Sequence, residues 1–280
     1  MNAVSEHIRE IEGMNGRSVR LTINEPTKRH GDPVVFLHGY KGFSQWGAWH
    51  LVAEEFAELG IPFIRVDFSH NGTTNAHPQE FIDKEAFGEN RYSWELEEAM
   101  RAINWVSWEM NAPEITLIGH SRGGGIAILA ASQNQKIARL ITWAAVRDFE
   151  ERFPQGEERE SWMKEGVYHV VNGRTGEQLP HYTSFLEDYN ANQASLDIEQ
   201  HARTLDIPWL IVHGSDDPAV SIEHAEDLLS WSRNAHLFEV EGSDHVFGSK
   251  HPWEKQDLPG DLDKVTRQCI RFITESDRTW

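Results

Sequence analysis

The chain has 280 residues with 45 acidic and 26 basic side chains, and its formal net charge at pH 7 is −19. This charge repels phosphate backbones and anionic membranes, so the sequence predicts neither a nucleic acid nor a membrane as partner. Hydrophobic residues make up 39% of the chain, which excludes wholesale disorder.

The sequence predicts a cytoplasmic protein. No apolar run approaches the roughly 18 residues that a membrane span requires, and residues 1–20 are too charged for a signal peptide. The single cysteine, Cys269, has no partner for an intrachain disulfide, and no Cys or His spacing is typical of a zinc site. We expect no metal and no organic cofactor, and no pattern indicates an oligomeric state.

Short β-branched segments alternate along the chain with segments of helical periodicity. The predicted strands are residues 34–37, 63–66, 115–118, 140–143, 208–212 and 237–240. The predicted helices are residues 49–59, 94–110, 123–132, 222–232 and 262–274. This alternation predicts an α/β fold, with a mostly parallel central sheet flanked by helices.

Residues 147–206 interrupt the alternation, because they are charged, rich in Gln and Asn, and hold no apolar run of the kind that forms a buried core strand. We interpret them as a small cap inserted into a core domain made of residues 1–146 and 207–280. Within the insertion, residues 167–171 followed by Asn172 and Gly173 indicate a hairpin, because Asn-Gly favours a tight turn.

The strongest chemical signal is the pentapeptide Gly119-His120-Ser121-Arg122-Gly123, which lies between a predicted strand and a predicted helix. A G-x-S-x-G pattern in that setting is typical of a nucleophile elbow, a strained turn that exposes the serine hydroxyl at the carboxyl edge of a sheet. The alternative interpretation is a glycine-rich turn that contains a serine by chance.

A serine hydroxyl needs a base and an acid to act as a nucleophile near neutral pH. Both residue types follow predicted strands later in the chain, in the order that the elbow requires. Asp216 and Asp217 follow the strand predicted at 208–212, and His245 follows the last predicted strand. We therefore expect Ser121 as nucleophile, His245 as base and one of the two aspartates as acid.

With these motifs the chain resembles the α/β-hydrolase family, in particular its serine esterases and lipases. The resemblance spans residues 34–273 and is carried by His38-Gly39, the elbow, residues 213–220 and residues 242–245. The chain is also similar to a bacterial subgroup described as carboxylesterase-like or dipeptidyl-aminopeptidase-like. The resemblance therefore implies the α/β-hydrolase fold, with an inserted cap.

The resemblance also implies roles for individual residues. It assigns the acid to Asp217 and leaves Asp216 as its neighbour, with Asp148 as a third candidate, because some relatives carry the acid after the strand that here contains Trp143. It further implies an oxyanion hole formed by the backbone N–H groups of Tyr40 and Arg122. Two such dipoles would stabilise the charge that develops in the transition state, which is usually the largest catalytic contribution.

Aromatic side chains are candidates for the substrate pocket. Eleven tryptophans are many for this length. Trp46 follows the oxyanion loop closely, and Trp162 lies in the insertion, so we expect both to contact substrate, with core packing as the alternative.

These observations predict a serine hydrolase that cleaves small to medium carboxylic esters through an acyl-enzyme, with a small-molecule ester as its partner. One alternative is an exopeptidase of the prolyl-oligopeptidase type, whose catalytic domain has the same order of residues. The other is a ligand-binding protein that keeps the fold with negligible turnover, because fold does not determine function.

Overall fold

The computed structural model describes residues 3–275. Its strands are β1 (Val4–Glu12), β2 (Ser18–Pro26), β3 (Val34–Leu37), β4 (Phe63–Asp67), β5 (Ile115–His120), β6 (Ile137–Trp143), β7 (Val167–Val171), β8 (Gln178–Tyr182), β9 (Trp209–Gly214) and β10 (Ala235–Val240). Its α-helices are α1 (Trp49–Glu58), α2 (Lys84–Glu89), α3 (Tyr92–Glu109), α4 (Arg122–Gln133), α5 (Gly156–Glu165), α6 (Ser184–Ala191), α7 (Ile198–Ala202), α8 (Glu223–Trp231) and α9 (Gly260–Thr274).

Eight strands of the described region form one sheet, in the order β1-β2-β4-β3-β5-β6-β9-β10. The pairs β1–β2 and β2–β4 are antiparallel, and the other neighbouring pairs are parallel. The predicted mostly parallel sheet is therefore confirmed. Because β3, β5, β6, β9 and β10 run in one direction, their carboxyl ends meet at one edge of the sheet, where ligands of open α/β sheets usually bind.

Each central strand contributes alternate side chains to two apolar layers. In β3, Val35 and Leu37 pack in the layer that contains α3, α4 and α8, whereas Val34 and Phe36 pack in the layer that contains α1 and α9. The sheet is thus covered on both faces, as its nearly continuous apolar strands predict. Within residues 3–275, no helix combines the length and the apolarity needed to cross a bilayer.

All the predicted strands and helices are present, and their ends differ from the prediction by no more than three residues. Outside residues 147–206, only β1, β2 and α2 were not predicted from the sequence; within them, α5, α6 and α7 were not predicted either. β1 lies at the sheet edge and is mostly exposed and charged, so it lacks the apolar run by which the other strands were predicted. Residues Asn15 and Gly16, both with positive φ, form the turn between β1 and β2.

Residues 147–206 (the 147–206 segment) connect β6 to β9 and contain α5, β7, β8, α6 and α7. The predicted hairpin is present, since β7 pairs antiparallel with β8. Trp162, Ile198 and Ala202 of this segment are buried in the same apolar layer as α4. One side of the segment therefore belongs to the core, and its hairpin forms a separate two-stranded sheet that packs on the core through Leu179, beside Phe43 and Phe81.

Candidate active site

Ser121 lies between the end of β5 and the first turn of α4, with φ 55° and ψ −120°. Its N–H donates to Trp143 O at 2.8 Å, and its carbonyl accepts from Gly124 N at 2.9 Å, so the strained backbone is held from both sides. The turn fits only because glycines follow Arg122 in the first turn of the helix. A Cβ added at Gly123 would lie 2.4 Å from His38 O, closer than real contacts allow.

His245 and Asp217 are hydrogen-bonded, with 2.7 Å between His245 Nδ1 and Asp217 Oδ2. Asp217 follows β9, and His245 follows β10, so adjacent parallel strands deliver the two side chains to one edge. Asp216 points elsewhere: it is exposed, and its Oδ1 accepts from Ser215 Oγ at 3.2 Å. Of the two adjacent carboxylates, Asp217 therefore reaches the imidazole.

Asp217 is held as a carboxylate. Its Oδ1 accepts from the backbone N–H groups of Ala219 and Val220 at 2.8 and 2.9 Å. Burial favours the neutral form, but hydrogen bonds from His213, His245 and Val220 N–H outweigh it and hold the pKa of Asp217 well below its usual range. A charged Asp217 fixes the proton on His245 Nδ1 and leaves Nε2 free to accept a proton.

The Ser121 hydroxyl makes no hydrogen bond within residues 3–275, and it lines the same cavity as His245. A serine–histidine hydrogen bond is often loose without substrate and tightens in the complex. The structure thus brings Ser121, His245 and Asp217 to one edge, with the His245–Asp217 hydrogen bond formed and the Ser121 hydroxyl without a hydrogen-bond partner among residues 3–275.

Two further histidines support this arrangement, although neither was predicted from the sequence to have a role. His120 Nε2–H donates to His245 O at 3.0 Å, and burial lowers the pKa of His120 to about 3. His213 Nε2 lies 3.4 Å from Asp217 Oδ2 and donates to Val220 O at 2.8 Å. Both lie inside the motifs that predicted the catalytic residues, which is the signal that could have found them.

Tyr40 and Arg122, the predicted oxyanion residues, line the same cavity as Ser121. Arg122 is the first residue of α4, so its N–H has no acceptor within the helix. The Tyr40 N–H has no acceptor among residues 3–275. The loop lies directly against Ser121, because a Cβ added at Gly39 would be 2.9 Å from Ser121 Cβ.

The side chains of these two residues are fixed by the surrounding polar and aromatic groups. Arg122 pairs with Glu95 at 3.0 Å, and both side chains are buried. Its guanidinium lies 4.8 Å from the centre of the Tyr40 ring, a cation–π distance. Tyr40 Oη lies 2.6 Å from His181 Nε2, in the 147–206 segment. The core and this segment are therefore coupled at Tyr40.

Two cavities meet at His245, Tyr40 and Lys41. The Ser121 cavity, of about 370 Å³, contains Ser121 and is walled mainly by aromatic and aliphatic side chains: Tyr92, Phe149, Phe153, Tyr168, Phe185 and Val220. The Trp46 cavity, of about 360 Å³, is lined by Trp46, Trp49, Phe81, His120, Arg174, Lys250 and His251 among others. A substrate whose carbonyl lies at Ser121 could place one half in each.

The two tryptophans proposed for the pocket differ. Trp46 lines the Trp46 cavity, next to His251. Trp162 lines neither cavity: it is only 1% exposed, and its Nε1–H donates to His181 O at 2.9 Å. It lies behind the wall, with its ring 4.7 Å from that of Tyr168, so it supports a wall residue. Among residues 3–275 there is no cluster of His, Cys, Asp or Glu suited to a metal ion.

Comparisons with known proteins identify a family and a fold. A model of the alpha/beta hydrolase family matches residues 34–255. No curated protein sequence matches the chain.

Solved structures show the fold. A hydrolase from Agrobacterium vitis S4 is 21% identical, with a TM-score of 0.74 over 97% of this chain and 99% of that one. Est1E from Butyrivibrio proteoclasticus is 18% identical, with a TM-score of 0.69 over 96% and 98%. The esterase domain of a Rhodothermus marinus protein is also 18% identical, with a TM-score of 0.60 over 87% and 91%.

Proposed function

We propose that this chain, which belongs to the α/β-hydrolase family, is a serine hydrolase that cleaves small to medium carboxylic esters through an acyl-enzyme. The observation that carries this proposal is the 2.7 Å hydrogen bond between His245 and Asp217, in a site where Ser121 lies on a strained strand-to-helix turn. The esterases among the structural neighbours support ester chemistry.

In the proposed reaction, Ser121 Oγ bonds to the ester carbonyl carbon while its proton moves to His245 Nε2. The tetrahedral intermediate then collapses, the bond to the alcohol oxygen breaks, and His245 gives its proton to that oxygen. Water attacks the acyl-enzyme in the same way, with His245 again as base, which releases the acid and restores Ser121. Asp217 stays ionised and stabilises the imidazolium.

The backbone N–H groups of Tyr40 and Arg122 are proposed to bind the oxyanion in both tetrahedral intermediates. Their contribution is selective for the transition state, because the oxygen carries its full charge only there. The buried ion pair of Arg122 with Glu95 would keep the start of α4 in place while this charge forms.

We propose that the 147–206 segment acts as a cap. Its hairpin contributes Tyr168 and His181 to the Ser121 cavity, and Asn172 and Arg174 to the Trp46 cavity. We also propose a cytoplasmic location, because the single cysteine, Cys269, is a buried free thiol.

The test is labelling with a fluorophosphonate probe together with hydrolysis of 4-nitrophenyl butyrate. We expect the wild type to be labelled and active, and Ser121→Ala to lose both properties. Ser132→Ala, which removes a hydroxyl at the far end of α4, is the matched control and should keep both. An unlabelled, inactive but folded wild type would contradict the proposal and favour a ligand-binding role. Faster turnover of matched peptide amides than of esters would favour an exopeptidase.

A further inference from the structure

The Trp46 cavity is positively charged, although the chain as a whole is strongly acidic. Three basic residues line it, Lys41, Arg174 and Lys250, and none of its lining residues within the described chain is acidic. By contrast, a cavity between α1 and the loop before α9 is lined by five carboxylates and one arginine. In a protein of net charge −19, this local reversal of sign marks a place suited to an anion.

The three cations lack counterions. Within residues 3–275, no carboxylate oxygen lies within 4.0 Å of Lys41 Nζ, the Arg174 guanidinium or Lys250 Nζ. Lys41 Nζ donates to Val171 O at 3.3 Å, and Arg174 donates to Gln79 O at 3.4 Å. Lys41 Nζ also lies 5.2 Å from the centre of the Tyr40 ring. Neither a carbonyl oxygen nor an aromatic ring carries a full negative charge, so these contacts leave the charges unneutralised.

Lys41 is the cation best placed to contact a substrate. It lines both cavities and directly follows Tyr40, the proposed oxyanion residue. Its backbone has φ 54°, a strained conformation for a residue with a side chain. The side chain is half-buried, and burial lowers the pKa of Lys41. An unpaired ammonium in such a place is costly, and a bound carboxylate would offset that cost.

The rest of the Trp46 cavity suits the remainder of an organic anion. Trp46, Trp49 and Phe81 supply apolar walls. His251 is neutral at pH 7, because burial and the nearby Arg174 lower its pKa to about 4. Its Nδ1 accepts from Gly47 N at 3.0 Å, so Nε2 carries the hydrogen and is a donor.

Apart from Lys41, which lines both cavities, the Ser121 cavity differs, because its buried cation, Arg122, is already neutralised. Arg122 pairs with Glu95, and most of the wall is aromatic or aliphatic. Arg152 also lines this cavity, but it is exposed at the rim. An uncharged, apolar half of the substrate fits this cavity better than the Trp46 cavity.

We propose, on the basis of the proposed function, that the substrate is an ester that carries a carboxylate on one of its halves. This carboxylate binds in the Trp46 cavity to Lys41, with Arg174 and Lys250 at the mouth, while the other, apolar half occupies the Ser121 cavity. Lys41 is thus a specificity-determining residue of the same site.

The experiment compares esters that differ only in charge. One pair is mono-4-nitrophenyl adipate and 4-nitrophenyl adipamate, in which a carboxamide replaces the carboxylate of the acyl half. The other is 4-carboxyphenyl butyrate and 4-carbamoylphenyl butyrate, which differ in the alcohol half. The two pairs test which half of the substrate carries the carboxylate. For the pair whose charged half binds in the Trp46 cavity, we expect kcat/KM of the anionic ester to exceed that of the neutral ester about tenfold or more at low salt. We expect this ratio to fall as NaCl is added.

Variants then assign the effect. Lys41→Gln should lower the anionic-to-neutral ratio of kcat/KM about tenfold, as expected for loss of a charged hydrogen-bond partner. Arg174→Gln and Lys250→Gln should each lower it about threefold, because both side chains are exposed. The matched control is Lys136→Gln, which removes the same charge next to the amino-terminal ends of β5 and β6. It should leave the ratio within about twofold.

If the anionic-to-neutral ratio of kcat/KM is near or below one for both pairs while the neutral esters are cleaved, the substrate assignment is overturned. The proposal that the protein is a serine hydrolase then still stands. An equal change in Lys41→Gln and Lys136→Gln, with folding verified by circular dichroism, would also overturn it. Absence of turnover on all four esters, together with absence of fluorophosphonate labelling, would overturn the proposed function, and the substrate assignment with it.

Discussion

The loops at the carboxyl edge of the sheet and the 147–206 segment both surround the candidate site, yet they are built differently. The edge loops hold four residues with side chains and positive φ, namely Lys41, Ser121, Ala144 and Phe247, after β3, β5, β6 and β10. In the 147–206 segment the positive-φ positions are all glycines, at 156, 166 and 176. A strained residue with a side chain costs about 1–3 kcal/mol, whereas glycine adopts the same conformation freely.

The edge loops retain this strain because main-chain hydrogen bonds extend from the sheet into them. Ser121 N–H donates to Trp143 O, and Ala144 N–H donates to Val212 O, each at 2.8 Å. The 147–206 segment instead meets the site through stacked rings, with His181 between Tyr168 and Phe185. Backbone hydrogen bonds fix positions closely, and packed side chains tolerate substitution better. The comparison therefore predicts rigid catalytic groups and an adjustable wall.

The largest effect is expected at Asp217, the proposed acid. Asp217→Asn keeps the shape of the side chain but removes its charge and favours the wrong tautomer of His245. We expect kcat to fall by about two to four orders of magnitude. Steady-state rates of ester hydrolysis at saturating substrate measure this loss, with folding verified by circular dichroism.

Asp216→Asn is the matched control, because the exposed Asp216 does not contact His245. Its activity should stay within about tenfold of the wild type. Similar losses at both positions would mean that the whole loop, rather than the Asp217 carboxylate, determines the rate.

The second effect tests rigidity through two glycines. A Cβ at Gly123 would meet the carbonyl oxygens of His38 and Leu37 at 2.4 and 2.5 Å, whereas a Cβ at Gly173, in the hairpin, would meet nothing within 4 Å. We expect Gly123→Ala to lower the free energy of unfolding by about 3 kcal/mol, and Gly173→Ala to change it by less than about 0.5 kcal/mol. Urea unfolding midpoints measure both. Equal losses would show that the two regions are equally constrained.

The same difference explains which parts of the molecule the sequence predicts. Ser121 and His245 each lie in a short motif directly after an apolar strand, so local pattern is enough to find them. The choice between Asp216 and Asp217 depended on the register of the family motif, because composition and spacing alone leave both open. The central strands were predicted from their apolar runs, and the exposed β1 was missed for lack of one.

The walls of the site could not be predicted in this way. Lys41, Arg174 and Lys250 come from three distant loops and share no spacing, so only the folded chain places them around one cavity. Trp162 illustrates the converse. Its aromatic side chain and its place in the insertion suggest a pocket residue, but its hydrogen bond to His181 O places it behind the wall of the cavity. Contacts between loops depend on tertiary packing, which single-sequence periodicity does not contain.

The third effect tests whether the wall is adjustable. Tyr168 is half-buried and lines the Ser121 cavity, so Tyr168→Ala should remove apolar contacts to the substrate and leave the triad in place. We expect KM for butyrate or hexanoate esters to rise about tenfold, while kcat changes less than about threefold. Steady-state kinetics with esters of increasing chain length measure this. A large fall in kcat with unchanged KM would instead couple Tyr168 to the catalytic groups.

The smallest effect concerns pH, and it compares one buried histidine from each region. Burial lowers the pKa of His120, next to His245, to about 3. Burial, together with Arg122 and Lys41, lowers the pKa of His181 to about 3 as well. Above about pH 6.5, the ordinary value in an unfolded chain, both histidines are neutral in both states and stability does not depend on them. Between about pH 6.5 and 3 only the unfolded chain binds the proton, so stability falls as the pH falls.

At pH 6 each histidine should therefore cost about 0.8 kcal/mol of stability relative to pH 8. His181→Phe keeps a ring between Tyr168 and Phe185 but cannot be protonated, and His120→Phe does the same beside His245. Each variant should lose about 0.8 kcal/mol less than the wild type between pH 8 and pH 6, as measured by urea unfolding. An unchanged loss in His181→Phe, with the expected reduction in His120→Phe, would mean that the 147–206 segment opens to water in the folded protein. The adjustable wall would then be mobile as well, and of the two histidines only His120, beside the rigid edge loops, would stay unprotonated in the folded protein at pH 6.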